Sequence, residues 1–456
     1  MLDLFLIALA AFAVFRATRH DLAAGFPLAA GMLVFLPGDL RIELPGAIPE
    51  ITVHRIILVV LLFRWIQAPK LERPPPVVAH SFILGLLLAS RVISDLLTVT
   101  PVLSIKDLLN FVFETFVFFH LARYALASAP ARVATMRAVA ISLVGVAIIS
   151  LVERYAGVSL PRVVFAQFKH LFDGIQSTYP HRILLGYAMA MGTPLVLLQL
   201  DTAATASRRR WWWLGLFAVV TGCFLADSRG GWIGMALGVT LTFVVGTGGT
   251  RRRCFALLGL AVLALLLRPG IRQTILSRVN DTYAGDTYKG VSYQYRWRLW
   301  NVAFSEVARS PQRLAFGYGG LSTETMDLSR YFRAQEGGTT TRIGYTSWDN
   351  HFASDLIEFG LVGLGFQICF YAVVLFHLAR RGQTGSDAAK PLINAALISC
   401  VIFVFARTNV YIFGEQLKFL FWTVVVVGTT AAQVEFRPAR APADIALAHS
   451  AELVLK

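Results

Sequence analysis

The chain has 456 residues, 56% of them hydrophobic and 15% charged, with a mean hydropathy of +0.61 and a formal net charge of +15. Soluble proteins carry roughly a quarter charged residues, so this composition excludes an ordinary water-soluble enzyme and assigns the chain to a bilayer. No zinc-finger, aromatic-stacking or helix-turn-helix pattern accompanies the positive charge, and the arginines stand at the ends of apolar runs, so membrane topology and anionic lipid explain the charge where nucleic acid does not.

Apolar runs long enough to span a bilayer recur along the chain, about thirteen of them. They lie near residues 2 to 17, 22 to 38, 51 to 67, 79 to 99, 105 to 127, 133 to 152, 181 to 200, 211 to 227, 230 to 247, 254 to 268, 352 to 379, 390 to 407 and 416 to 433. The first run lacks the charged start and small-residue cleavage site of a signal peptide and is expected to be retained. Cys223, Cys254, Cys369 and Cys400 all fall inside apolar runs without CxxC spacing, which predicts packing residues, not a disulfide framework or zinc site.

Alternate connectors carry the basic residues: Arg16 and Arg19; Arg64, Lys70 and Arg73; Arg123, Arg132 and Arg137; Arg208 to Arg210; Arg251 to Arg253; Arg380, Arg381 and Lys390; Arg437 and Arg440. The positive-inside rule makes these cytoplasmic. The opposite face then receives the connectors near 40 to 50, 100 to 104, 153 to 180, 228 to 230, 269 to 351 and 407 to 415. The expected organisation is an all-α polytopic bundle: N-terminal transmembrane helices over 1–268, a large periplasmic loop over 269–351, C-terminal transmembrane helices over 352–436 and a cytoplasmic tail over 437–456. A loop as long as 269–351 is usually functional or disordered. Within it, Trp300, Phe304 and Val307 share one side of a short amphipathic helix expected over Arg296 to Arg309, lying on the membrane surface as part of a lid.

Three stretches on that face carry candidate chemistry. In Asp227-Ser228-Arg229-Gly230-Gly231, a permanently charged guanidinium sits beside glycines at a helix start, where backbone amides also favour anions; a diphosphate suits it. The same residues also fit an interfacial arginine snorkelling to water beside a turn. In Arg296-Trp297-Arg298-Leu299-Trp300, two arginines flank a tryptophan, a pattern that an ordinary interfacial helix also shows, and Gly317-Tyr318-Gly319-Gly320 lacks the preceding strand and following Lys of a nucleotide loop. In Trp348-Asp349-Asn350-His351, leading to Asp355 and Glu358, the last three ionisable groups stand at i, i+4 and i+7 on one helix face, where membrane burial makes a functional role the default; Asp349 and Asn350 are also natural caps. Further polar residues share the face: Arg91 and Asp95, readable as an intrahelical pair; Lys169, His170, His181 and Arg182; Arg407, Asn409, Glu415 and Lys418. No DxD, HExxH or P-loop occurs.

In order, SRGGWIG at a span boundary, RWRLW followed by a GYG turn, and DNHFASDLIEFGLVG opening the next span resemble the O-antigen ligase and polymerase superfamily, over about residues 180 to 430. The resemblance implies transfer of glycan from undecaprenyl diphosphate to an acceptor hydroxyl at the periplasmic face of the bacterial inner membrane, without metal, nucleotide or other cofactor. Ligases take the lipid A core as acceptor, and polymerases another lipid-linked repeat. It also implies that Arg229 is the diphosphate-binding arginine after Ser228, and that Arg296, with Arg298 as the alternative, is the loop arginine. The ligase pattern has histidine then asparagine before Gly-x-x-Gly; Asn350, Gly360 and Gly363 match, whereas Asp349 stands at the histidine position. Either Asp349 or His351 is then the base, and a polymerase of O-antigen or exopolysaccharide repeats is the expected activity, with Asp355 and Glu358 in supporting roles. A lipid or polysaccharide transporter would need polar groups and broken helices near mid-membrane. A scaffold of a glycan-assembly complex would not explain charges converging on one face.

Overall fold

The structure is a computed structural model, described here for residues 2–38, 40–42, 50–68, 79–164, 174–267, 269–283, 288–331, 333–336, 339–342, 347–412 and 414–434. Lys70, Arg73, Lys169, His170, Arg437 and Arg440 lie outside the described residues. The fold is all-α apart from two small hairpins. In chain order it runs α1 (Leu2–Ala17), α2 (Leu22–Phe35), β1 (Arg41–Ile42), β2 (Ile51–Thr52), α3 (Val53–Gln67), α4 (Ala79–Leu96), α5 (Pro101–Asn110), a π-helical stretch Phe111–Val117, α6 (Phe118–Ala125), α7 (Ala129–Ala156) and α8 (Leu160–Val164). It continues through α9 (Arg182–Thr202), α10 (Ala206–Leu225), α11 (Arg229–Val245), α12 (Gly248–Leu267), α13 (Pro269–Tyr283), α14 (Tyr288–Val307), α15 (Pro311–Phe316), α16 (Ser322–Thr325), β3 (Arg333–Glu336), β4 (Thr339–Arg342), α17 (His351–Thr384), α18 (Lys390–Asn409) and α19 (Glu415–Val434). The strands pair antiparallel, β1 with β2 and β3 with β4.

Among the described residues, α4, α7, α9, α17 and α18 are long and apolar enough to cross a membrane, and α2 and α11 are shorter apolar helices. α9 is the axis of the bundle. Every residue from Leu184 to Leu200 is buried, between α7, α10, α11 and α18, as expected of a helix that is apolar on all sides. At the periphery, α1 exposes Phe5 and Phe12, α10 exposes Trp211 and Phe217, and α12 exposes Phe255, Leu258, Leu266 and Leu267. Apolar surface of that extent is untenable in water and natural against lipid.

The segment from Pro269 onward is more helical than the sequence suggests. α13 and α14 fill its first half, and α14 begins eight residues before the expected amphipathic helix. Its buried face is Tyr295, Leu299, Ala303 and Val307, packed toward α17, while Phe304 is exposed. The face chosen by packing thus differs from the Trp300–Phe304 side, because α14 covers protein before it covers anything else.

α17 is broken at Gly360, whose backbone (φ 64°) lies in the left-handed region. The break frees the carbonyls of Ile357 and Glu358, and these accept hydrogen bonds from the N–H groups of Tyr318 and Gly319, both at 2.9 Å. Gly317 (φ 71°) lies so close that a Cβ there would meet the Glu358 carbonyl carbon at 2.5 Å. Ser94 of α4 donates to the carbonyls of Phe316 and Glu358, and Thr98 donates to that of Tyr318. The Gly-Tyr-Gly-Gly stretch is therefore the clamp that fastens the long segment to a broken helix.

Candidate functional site

The site assembles where the N-terminal ends of α9, α11, α17 and α19 meet the C-terminal ends of α4, α10 and α18. Asp227 closes the α10–α11 turn with φ 45°, a left-handed conformation that aspartate tolerates better than most residues. Ser228 is buried and caps α11, its Oγ accepting from the Gly231 N–H at 3.3 Å. Arg229 opens the helix half-buried. Gly230 and Gly231 answer to packing: the position a Cβ would take at Gly230 is filled by the Tyr187 hydroxyl, and at Gly231 it would meet the Gly186 Cα at 2.8 Å. They let α11 touch α9, so the close backbone approach that the sequence suggests serves a helix before any ligand. Arg182 of α9 reaches Asp227 at 3.4 Å across the same contact.

α14 delivers Arg296 to this corner. Its Nε donates to the Asn409 carbonyl at 2.7 Å and its Nη2 lies 3.2 Å from the Asp349 carboxylate. Arg296 is thus fixed from α18 and from the turn that precedes α17, and Asp349 is partly open, with 28% of its side chain exposed. The Ser347 hydroxyl donates to the other carboxylate oxygen at 2.8 Å. Arg298, two positions on, is exposed and faces away from Arg296, since residues two apart do not share a helix face. Asn350, not Asp349, caps α17: its Oδ1 accepts from the Ala353 N–H at 3.2 Å. Asp349 keeps its carboxylate for Arg296.

His351 is held differently. Its Nδ1 accepts the Ile412 N–H at 3.0 Å; a backbone amide can only donate, so the ring proton of this tautomer is on Nε2, which faces Asp355 Oδ1 at 3.9 Å. The ring stacks on Tyr411 with centroids 4.7 Å apart. Burial raises the Tyr411 phenol well above its ordinary value, with the Glu358 and Asp107 charges adding to the effect, so it stays protonated.

Behind His351 the helix face bearing Asp355 and Glu358 lines a polar cavity of about 90 Å³. Asp355 pairs with Arg407 of α18, which also donates to the Tyr371 hydroxyl at 2.8 Å. Glu358 accepts from Thr323 and, at 3.3 Å, from Ser354. Arg91 pairs with Asp107 at 3.0 Å, sandwiched between the rings of Phe359 and Phe111. The intrahelical Arg91–Asp95 pair suggested by their spacing is not formed: Asp95 instead accepts from the Gly320 N–H at 2.8 Å. Lys418 lines the cavity, whereas Glu415 turns to His54 of α3, 2.7 Å away. Sequence reasoning missed Asp107 and Glu114. No sequence motif marks either; in the structure Glu114 lies in the π-helical stretch, a local under-winding frequent at functional sites. Among the described residues, no cluster of His, Cys, Asp or Glu could hold a metal ion.

Comparison with known families matches residues 214–368 to the O-antigen ligase family model. The match runs from within α10 to the middle of α17 and so contains Ser228, Arg229, Arg296, Asp349, His351, Asp355 and Glu358. No curated protein matches the chain.

Proposed function

We propose that this chain, which matches the O-antigen ligase family model over residues 214–368, belongs to the O-antigen ligase and polymerase superfamily and moves glycan from a polyprenyl diphosphate to an acceptor hydroxyl at the periplasmic end of the bundle. The observation that carries this reading is the Arg296–Asp349 contact at 3.2 Å, a fixed cation and a partly open carboxylate beside the Ser228–Arg229 turn. Glycosyl transfer breaks the bond between the anomeric carbon and the diphosphate oxygen, forms one to the acceptor oxygen and releases the hydroxyl proton. Arg229 and Arg296 neutralise the departing diphosphate. As Arg296 turns from Asp349 to phosphate, the carboxylate is left to take the acceptor's proton. Attack opposite the leaving group inverts the anomeric centre.

The assignment of the base to Asp349 rests on hydrogen bonding. His351 already spends its acceptor nitrogen on Ile412, so it serves the site by holding the 410–412 connector against α17. Aspartate at a position where the ligase pattern has histidine favours the polymerase reading, in which both substrates are carrier-linked repeats of O-antigen or exopolysaccharide.

The test is gel analysis of surface polysaccharide from a deletion strain complemented with wild type, Asp349→Ala or His351→Ala. Single carrier-linked repeats without long polymer support the polymerase reading. Long carrier-linked chains that fail to reach lipid A identify a ligase. Unchanged glycans in the deletion strain would overturn transfer altogether and return the chain to transport or scaffolding.

A further inference from the structure

We propose that the cavity behind His351 is the subsite that receives the acceptor sugar, distinct from the corner that holds the diphosphate. The inference rests on the glycan-transfer reading above and assigns its second substrate a place. The cavity is bounded by α4, α5, the π-helical stretch, α17, α18 and α19, and much of its wall lies outside the family match: Arg91, Asp107, Glu114, Arg407 and Lys418 all belong to other parts of the chain.

Charge decides against the diphosphate. The lining carries the carboxylates of Asp107, Glu114, Asp355 and Glu358 against the cations Arg91, Arg407 and Lys418. Three of the carboxylates are already paired, Asp107 with Arg91, Asp355 with Arg407 and Glu114 with Arg55 of α3. A diphosphate would meet a single lining cation outside an ion pair, Lys418, with Glu358 against it, whereas sugar hydroxyls donate well to carboxylates and accept from guanidinium N–H groups. The Nε–H groups of both Arg91 and Arg407 are buried and have no hydrogen-bond partner. Both arginines line the cavity, so its wall keeps polar hydrogen-bonding capacity that the ion pairs do not use up. Phe111, Tyr371, Tyr411 and Trp422 supply flat apolar wall between the polar groups, matching the apolar faces of a pyranose ring.

Size and position agree. The cavity, about 90 Å³, is well above the size needed to hold one water and accommodates several, a cluster whose hydrogen bonds the hydroxyls of one sugar ring can reproduce. His351 lines it, and Asp349 stands two residues away on the other side of the α17 N-terminus. A sugar seated there would anchor the acceptor at the helix end that carries the proposed base, while the donor diphosphate is held by Arg229 and Arg296.

The experiment uses the full chain with its four cysteines replaced by alanine and Thr115→Cys added, since Thr115 is buried and lines the cavity. Purified protein in lipid nanodiscs is treated with a small water-soluble methanethiosulfonate. The probes are saccharide fragments released by mild acid from the host cell's own surface glycan, and, separately, undecaprenyl diphosphate alone. The fragments are expected to slow modification of the new cysteine and undecaprenyl diphosphate to leave it unchanged. Asp107→Asn in the same background is expected to raise the half-protecting fragment concentration about tenfold, the loss of one charge-assisted hydrogen bond, with protection read against the variant's own rate in the absence of saccharide. A cysteine that does not react, that reacts equally fast with fragments present, or that is protected by undecaprenyl diphosphate alone would overturn the proposal. Such a result in a strain whose glycan synthesis still depends on the gene would leave glycan transfer standing, so the two failures are distinguishable.

Discussion

Arg296 is the residue on which the site turns. It crosses from α14 to the Asn409 carbonyl and the Asp349 carboxylate, so its loss removes both a cation and the contact that positions the long segment. Arg296→Ala is expected to lower polymer synthesis at least about a hundredfold, in the range seen when one preorganised charge-stabilising group is deleted. Arg296→Lys is expected to recover little, because a point charge cannot span two acceptors as a planar fork does. Densitometry of polymer at matched protein abundance checks both. The candidate bases separate in the same assay. Asp349→Asn keeps the size of the side chain and loses the proton acceptor, and should abolish synthesis. His351→Gln supplies a carbonyl oxygen for the Ile412 N–H and should retain a substantial part of it; equal loss in both variants would transfer the role of base to His351.

Among the elements, the break in α17 shows how far sequence alone could reach. Gly360 and Gly363 stand out in the sequence as a spaced pair, and Gly317 to Gly320 as an isolated cluster with no nucleotide context. Nothing local says that they belong together. They join because the broken helix leaves two carbonyls that need donors, and the Gly-Tyr-Gly stretch supplies the Tyr318 and Gly319 amides from some forty residues upstream. Gly360→Ala should therefore cost more than the usual 1–3 kcal/mol of a strained backbone position, since its Cβ would also run into the Ala315 carbonyl. Ser94→Ala should cost about 1 kcal/mol, the net worth of one hydrogen bond, because the Glu358 carbonyl keeps the Gly319 N–H. Denaturation in detergent, followed by intrinsic fluorescence, measures both. α14 gives the converse lesson. Its existence and helical period were legible, but its buried face was not, because Trp300–Phe304 and Leu299–Ala303 are both apolar pairs at helical spacing and only the presence of α17 chooses between them.

For the whole molecule, the buried Asp355–Arg407 pair links α17 to α18 in the wall of the cavity. Removing one partner leaves an uncompensated buried charge, so Asp355→Leu and Arg407→Leu should each destabilise by about 3–5 kcal/mol, whereas the double variant should return close to wild-type stability. If the pair also shapes the acceptor site, that stable double variant should still fail to make polymer. A thermal-shift cycle run beside the glycan gel separates the structural role from the functional one. Sidedness is testable at the same scale. Cysteines replacing Arg298 and Arg209 should react with an impermeant thiol reagent from the periplasmic and cytoplasmic sides, respectively; labelling of both from one side would break the alternation of basic connectors on which the topology rests.

Composition and the order of apolar runs determined that this chain lives in a bilayer as a helical bundle, because a membrane demands about twenty apolar residues for each crossing and that requirement is written locally. The motifs around Arg229, Arg296 and Asp349 were legible for the same reason: each is a short stretch with its own pattern. The pairing of charges was decided by the tertiary structure. Arg91 meets Asp107 and not Asp95, Arg407 meets Asp355, and Glu415 meets His54. Such choices depend on which helix ends are brought together in a medium too apolar to leave any charge alone, and linear spacing carries no record of them.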